Sequence, residues 1–238
     1  MKKLVIFDLD GTLADTLASI AYCTNRALEK SGFSPISSDK VRRFVGNGAR
    51  TQVIRSLREA GDTESAWIPG YTDDDGYHTV PLHLEEVLNT YMEYFKADCM
   101  YQVMPYPGIR QLLQDLKERE IFLAVFSNKP HNNTLQVVEL LFGTEVFDAI
   151  QGQVEHIRKK PAPDGVFEVL DQIGRQCAEP LKMEEVLYVG DSGVDMQTGK
   201  AAGAYTVGVL WGFRDAGELE ECGADHLITE PGELMGLL

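Results

Sequence analysis

The chain has 238 residues, 44% hydrophobic and 25% charged, an ordinary globular composition with apolar material for one large domain or a domain plus a smaller partner. With 37 acidic against 22 basic residues, the formal net charge is -15, which makes nucleic acid and anionic membranes poor partners. An anionic ligand must therefore be met by a local positive field set against the global one.

In chain order, the first apolar run is Leu4–Phe7, read as a buried strand. The start briefly imitates a signal peptide, but Asp8 and Asp10 interrupt it too early, and a cytoplasmic protein is expected. Directly after the strand comes Asp8-Leu9-Asp10-Gly11-Thr12. Two carboxylates one residue apart at a strand end cannot both be buried and ionised without a compensating cation. Either they sit solvated in a turn, or they share a metal and a phosphate.

The stretch from Asp15 to Cys99 carries helical patterns at Leu17–Leu28, Val41–Phe44, Val53–Leu57 and Val87–Phe95, and no convincing strand. It is too long for a simple crossover and reads as an inserted domain. Gly46-Asn47-Gly48-Ala49-Arg50 links two of its helices; Arg50 or Arg43 could meet an anionic group, or both could be solvated. The segment Asp62–Pro81, with Asp73, Asp74 and Asp75 among glycines and prolines, reads as an irregular loop.

Beyond it, Ile109, Leu112, Leu113 and Leu116 recur at helical spacing, and Phe122–Phe126 reads as a second buried strand followed by Ser127-Asn128-Lys129. A hydroxyl and turn N–H groups there suit phosphate oxygens, though the same tripeptide is common turn chemistry. Helical patterns follow at Leu135–Phe142 and Val166–Ile173, separated by Lys159-Lys160-Pro161-Ala162-Pro163-Asp164, whose prolines stiffen the backbone and aim Lys160. Val186–Val189 reads as a third strand, ending in Gly190-Asp191-Ser192-Gly193-Val194-Asp195, where two carboxylates offer oxygen ligands to a divalent cation or cap a helix. Thr206–Leu210 is the fourth. Strands alternating with helices predict an α/β fold with a doubly wound parallel sheet, and the polar clusters at strand ends point to one shared site. Cys23, Cys99, Cys177 and Cys222 form no close pair and are expected to be reduced thiols.

Asp-x-Asp-Gly-Thr after a first strand, Ser-Asn-Lys after a second, Lys-Pro-x-Pro, then Gly-Asp-Ser-x-x-Asp resembles the haloacid dehalogenase superfamily, and within it the phosphoglycolate phosphatase-like branch. Pro105-Tyr106-Pro107-Gly108 is similar to that branch's entry to a core helix, and Phe147-Asp148-Ala149-Ile150 to its short strand before the lysine motif. The resemblance implies a Rossmann-like catalytic core of residues 1–14 and 100–238 and an all-helical cap of residues 15–99. It implies a magnesium-dependent phosphatase acting on a small phosphorylated metabolite, with monomer and homodimer both open. By the same resemblance Asp8 would be the nucleophile and Asp10 the acid and then the base. Gly11, Thr12, Ser127 and Asn128 would hold phosphoryl oxygens; Arg50, read from the inserted block and not from the resemblance, is a candidate substrate contact. Lys160 would neutralise charge on Asp8 and the phosphoryl group. Asp8, the backbone oxygen of Asp10, and Asp191 would ligate magnesium, with Asp195 joining directly or through water. Three alternatives share the scaffold: a sugar-phosphate mutase, a dehalogenase, which needs neither Asp10 nor Asp191, and a silent phosphate-binding module.

Overall fold

The computed structural model describes residues 2–143, 145–176 and 179–238. Cys177 lies outside them, and Cys23, Cys99 and Cys222 are thiols, not disulfides, as expected. The chain divides into two compact units, Met1–Asp15 with Met104–Leu238, and Thr16–Val103.

The first unit is built on a six-stranded sheet, all parallel, in the order β10-β9-β8-β1-β6-β7. These are β1 (Leu4–Phe7), β6 (Phe122–Pro130), β7 (Ala149–Gln153), β8 (Val186–Gly190), β9 (Tyr205–Val209) and β10 (His226–Ile228). On one face Leu4, Ile6, Ala124, Phe126, Val186 and Tyr188 pack on Val166, Val169 and Ile173 of helix α7 (Asp164–Gly174). Their alternates Val5, Phe7, Leu123, Val125, Leu187 and Val189 are buried on the other face. Both faces are covered, so these strands read as continuous apolar runs. Helix α5 (Ile109–Glu118) turns Ile109, Leu112, Leu113 and Leu116 inward on one stripe. The chain runs from β1 outward to β6 and β7, then returns to place β8 on the other side of β1. That reversal opens a crevice at the carboxyl ends of β1 and β8.

Two features of this sheet differ from expectation. β6 continues through Ser127-Asn128-Lys129 to Pro130, with a register irregularity after Phe126, so the second polar cluster is the end of a strand rather than a turn after it. β10, three residues long, has no apolar run to announce it, and β7 carries Gln151 and Gln153; the short strand that the resemblance placed at Phe147–Ile150 begins two residues later, at Ala149.

The second unit holds α1 (Leu17–Lys30), α2 (Ser38–Phe44), α3 (Ala49–Glu59) and α4 (Leu84–Asp98), each extending a sequence-read helical pattern at one or both ends. It is helical as expected, with one addition. The segment read as an irregular loop contains an antiparallel pair, β3 (Ser65–Trp67) with β4 (Thr79–Pro81). Its acidic tip is latched to one face of α3. Thr51 Oγ1 donates to Asp74 Oδ2 at 2.7 Å, and Arg55 meets Asp75 through Nε (2.9 Å) and Nη2 (2.6 Å). Arg58 Nη1 lies 2.7 Å from Asp73 Oδ2, an ion pair whose angle is poor for a hydrogen bond, and its guanidinium lies over the Tyr77 ring. Residues 51, 55 and 58 share a helix face, which is why three consecutive aspartates can be held at once. Sequence order hides this because the partners precede the loop.

Hydrogen bonds from Arg55 outweigh partial burial and hold the Asp75 carboxyl below its ordinary range. A depressed carboxylate contributes stability above its unfolded pKa, and the contribution is lost as pH falls through the lower folded value. Asp75→Asn is therefore expected to cost about 1 kcal/mol or less at neutral pH, as surface pairs do, and progressively less below about pH 4. Paired thermal melts of wild type and variant across that range check the sign; a gap that persists in acid would assign the loss to packing.

Candidate active site

At the carboxyl end of β1 the chain turns sharply. Leu9 is buried, and its carbonyl accepts from Leu13 N–H (3.1 Å) and Ala14 N–H (3.0 Å), so Asp8 and Asp10 are fixed on either side of an apolar anchor. Asp8 N–H donates to Val189 O at 2.9 Å, tying the turn to β8. The end of β8 then presents Asp191, and α8 (Gly193–Ala202) begins with Asp195 in its first turn. Gly11 takes φ +88°, and a Cβ there would fall 2.2 Å from Asp191 Oδ2. Only glycine lets the turn pass so close to that carboxylate.

Lys160 is the centre of the constellation. Its side chain is 2% exposed, and Nζ lies 2.8 Å from Asp8 Oδ1, 2.6 Å from Asp195 Oδ1 and 3.3 Å from Phe126 O. Burial alone would push the ammonium down, but the negative charges of Asp195 and Asp8 outweigh it and hold its pKa well above the usual value. Its backbone is set by Asn128, whose Oδ1 accepts from Lys160 N–H (2.8 Å) and whose Nδ2 donates to Lys160 O (3.2 Å). The structure thus turns both ends of the Asn128 amide onto the lysine backbone, whereas the sequence reading aimed Asn128 at phosphoryl oxygens. Ser127 Oγ accepts from Lys129 N–H at 3.3 Å.

Asp195 is fully buried, with Oδ2 accepting from Ser192 N–H (3.1 Å) and Oγ (2.6 Å) in a capping box at the start of α8. Asp191 accepts from Phe213 N–H (2.7 Å) on Oδ2 and from Thr12 Oγ1 (3.3 Å) on Oδ1. Three residues absent from the sequence reading therefore join the site. Trp211 Nε1 donates to Thr12 O at 2.9 Å, Gly212 leaves room for Asp191 and Gly11 O, and Phe213 supplies its N–H. A fourth role the sequence reading did not assign is that of Lys129, whose Nζ donates to Asp10 Oδ1 at 2.8 Å with its side chain 2% exposed. Only the strand end Thr206–Leu210 pointed toward the first group, and only the Ser-Asn-Lys motif toward the second. Arg50 belongs to the other unit, where it pairs with Glu85 at 2.7 Å and is half exposed.

The site suits a hard divalent cation. Asp8, Asp191 and Asp195 each offer one oxygen, all within 4.8 Å of one another and all buried. Burial pushes Asp8 up to about 7, against the pull of Lys160, and raises Asp191 well above the carboxylate range, with Asp195 and Asp8 adding to it. Asp8 Oδ1 contacts Lys160 at 2.8 Å but has no aligned hydrogen-bond donor among the described residues. Both features mark positive charge that side chains alone do not supply.

The description of haloacid dehalogenase-like hydrolases matches this chain over residues 5–209. A phosphoglycolate phosphatase of Aquifex aeolicus is 28% identical over 236 residues, covering 99% of this chain and 96% of the relative. One from Cereibacter sphaeroides is 32% identical over 212 residues, covering 89% and 87%. A solved structure provisionally assigned as a phosphoglycolate phosphatase, from Lactobacillus delbrueckii subsp. bulgaricus, superposes with a TM-score of 0.87 at 30% identity, covering 100% of this chain and 98% of that one. With the four motifs converging on one sheet edge, this chain belongs to the haloacid dehalogenase-like hydrolases, in their phosphoglycolate phosphatase-like branch.

Proposed function

We propose that the protein is a magnesium-dependent phosphatase that hydrolyses a small phosphate monoester through an aspartyl-phosphate, with residues 16–103 serving as a cap that selects the substrate. The observation that carries the reading is Asp8, buried at the carboxyl end of β1 among Lys160, Asp191 and Asp195. A carboxylate with no role in chemistry has no reason to be desolvated beside two others. The branch names phosphoglycolate as the first substrate to test, with pyrophosphate, sugar phosphates and nucleotides beside it.

In the first step an Asp8 oxygen bonds to phosphorus as the bond to the leaving oxygen breaks, and Asp10 gives that oxygen a proton. In the second, Asp10 takes a proton from water as the water oxygen attacks phosphorus. The Asp8–phosphate bond then breaks, restoring the carboxylate and releasing inorganic phosphate. Lys160 balances charge on Asp8 and the incoming phosphoryl group, and the Ser127 hydroxyl would donate to a phosphoryl oxygen; the Gly11 and Thr12 N–H groups, expected from the sequence to do the same, are instead turned to Ala14 O (2.9 Å) and Leu9 O (3.4 Å). Asn128 acts through Lys160 by fixing its backbone. Asp8, Asp191 and the Asp10 backbone oxygen would hold magnesium, with Asp195 directly or through water. The ion supplies the charge that keeps the buried carboxylates ionised and withdraws electron density from the phosphoryl group. Arg50 is the cap residue proposed to meet the leaving group.

Asp8→Asn is expected to fold normally and lose at least about a hundredfold in kcat, since an amide is nearly isosteric but a far poorer nucleophile. Phosphate release with a circular dichroism control measures it; retention of activity would rule out covalent catalysis by this residue.

Activity is expected to vanish in EDTA and return with magnesium, because the ligands are all hard oxygens. Full turnover in metal-free buffer would overturn the assignment and favour dehalogenase-type chemistry.

Asp10→Ala is expected to lower kcat/KM by about 10²–10⁴ for alkyl phosphates, whose leaving groups need a proton, and much less for p-nitrophenyl phosphate. That ratio reports the steps through the first phosphoryl transfer, so the hydrolysis step common to all substrates does not mask the difference. Equal losses would remove Asp10 from the acid role.

A further inference from the structure

A second buried lysine sits in this site and has no part in the chemistry above. Lys129 Nζ donates to Asp10 Oδ1 at 2.8 Å, with side chains 2% and 12% exposed. The lysine is itself built in. Its N–H donates to Ser127 Oγ (3.3 Å), and its carbonyl accepts from Thr134 Oγ1 (3.2 Å) in the first turn of helix α6 (His131–Phe142). Gly152 of β7 lets that carbonyl approach closely, since a Cβ there would come within 2.9 Å of it and 2.5 Å of His131 Cα. A long, rotamer-rich side chain is thus fixed at its root by hydrogen bonds to Ser127 and Thr134 and engaged at its tip with the Asp10 carboxylate. Ordering such a side chain costs conformational entropy, so holding it buried needs a compensating interaction, and the hydrogen bond to Asp10 is one.

The consequence falls on Asp10. A carboxylate joined to the backbone by two rotatable bonds can present either oxygen over a wide arc. With Oδ1 committed to Lys129, rotation is arrested and Oδ2 is the oxygen left to exchange a proton with the leaving group. We propose that Lys129 is a positioning residue that fixes the Asp10 carboxyl for proton transfer. The inference rests on the acid and base role given to Asp10, and it names the group that makes that role geometrically reproducible.

The test uses a series of aryl phosphates with uncharged leaving groups, from p-nitrophenyl phosphate to phenyl and p-methoxyphenyl phosphate. These substrates share size and carry no second anion, so they separate help to the leaving group from recognition of a charged substrate. Lys129→Met keeps the buried volume and removes the donor. Its kcat/KM is expected to fall by about 10²-fold for the least acidic leaving group and by threefold or less for p-nitrophenyl phosphate, the lower end of acid–base effects. Lys129→Arg, which keeps a donor, is expected to recover part of the loss. In an Asp10→Asn background Lys129→Met is expected to add less than about threefold, since a positioning residue has nothing left to position.

Equal losses along the series would overturn the inference and mark Lys129 as a phosphate-binding or structural group. So would additive losses in the double variant, or an effect confined to substrates bearing a second anion. Asp10→Asn alone separates the two levels. If it steepens the leaving-group dependence and Lys129→Met does not, the inference fails while the phosphatase reading stands. If Asp10→Asn leaves the dependence as it is in wild type, the acid role of Asp10 and the inference fall together, while the phosphatase reading still stands or falls with Asp8→Asn. Should Lys129→Met lose the fold by circular dichroism, Lys129→Gln is measured on the same series with the same two outcomes.

Discussion

The whole site depends on one buried cation being held where three acidic groups need it. Asp8, Asp191 and Asp195 crowd the carboxyl ends of β1 and β8, and Lys160 touches two of them. Desolvated carboxylates this close repel strongly, and a single lysine offsets only part of that. The remaining deficit shows in the elevated pKa values of Asp8 and Asp191. A fold that retains such a deficit is poised for a cation and an anionic substrate together. Removing one partner of a buried pair of this kind typically costs about 3–5 kcal/mol, so Lys160 serves stability as well as function.

The sheet makes this crowding possible without distorting the core. Leu4, Ile6, Phe126 and Tyr188 pack a buried layer beneath the site; β1 and β8 end where their polar clusters start, and β6 carries its own cluster within its last residues. Close approach is then a matter of missing side chains. Gly11 and Gly212 let two loops meet around Asp191, and its two oxygens are engaged by Phe213 N–H and Thr12 Oγ1. The charged groups therefore stand on rigid strand ends and are trimmed by turns, which restricts their positions more than any loop-borne arrangement would.

How much of this could be read in advance depended on distance along the chain. β1 and β8 were legible because strands buried on both faces are continuous apolar runs; β7, with Gln151 and Gln153, and the three-residue β10 carry no such signal. The residues Asp8, Lys160 and Asp191 were legible because each lies in a short local motif. Their supports were not. Asn128 bonds Lys160 across 32 residues, Lys129 bonds Asp10 across 119, and Trp211 bonds Thr12 across 199. Local spacing states which chemistry a segment can offer, but not which distant segment will complete it. The acidic tip of the inserted unit failed for the same reason: Asp73, Asp74 and Asp75 look like a solvated run until α3 supplies Thr51, Arg55 and Arg58.

The opposition between global and local charge follows from the same arrangement. A net charge of -15 repels a phosphate monoester at long range, but at physiological salt that repulsion is screened beyond about 8 Å. Inside that distance the proposed substrate would approach Lys160, with Lys129 turned to Asp10 beside it; both are nearly inaccessible to water and fixed by hydrogen bonds. Their fields are screened far less than those of the acidic exterior. Because Lys160 is already engaged with Asp8, an incoming anion would gain most where it shares that cation with the carboxylate proposed to attack it. On the proposed function, Lys160 would thus favour the phosphoryl group at the reacting centre over anions in general, which is how a strongly acidic protein would act on an acidic substrate.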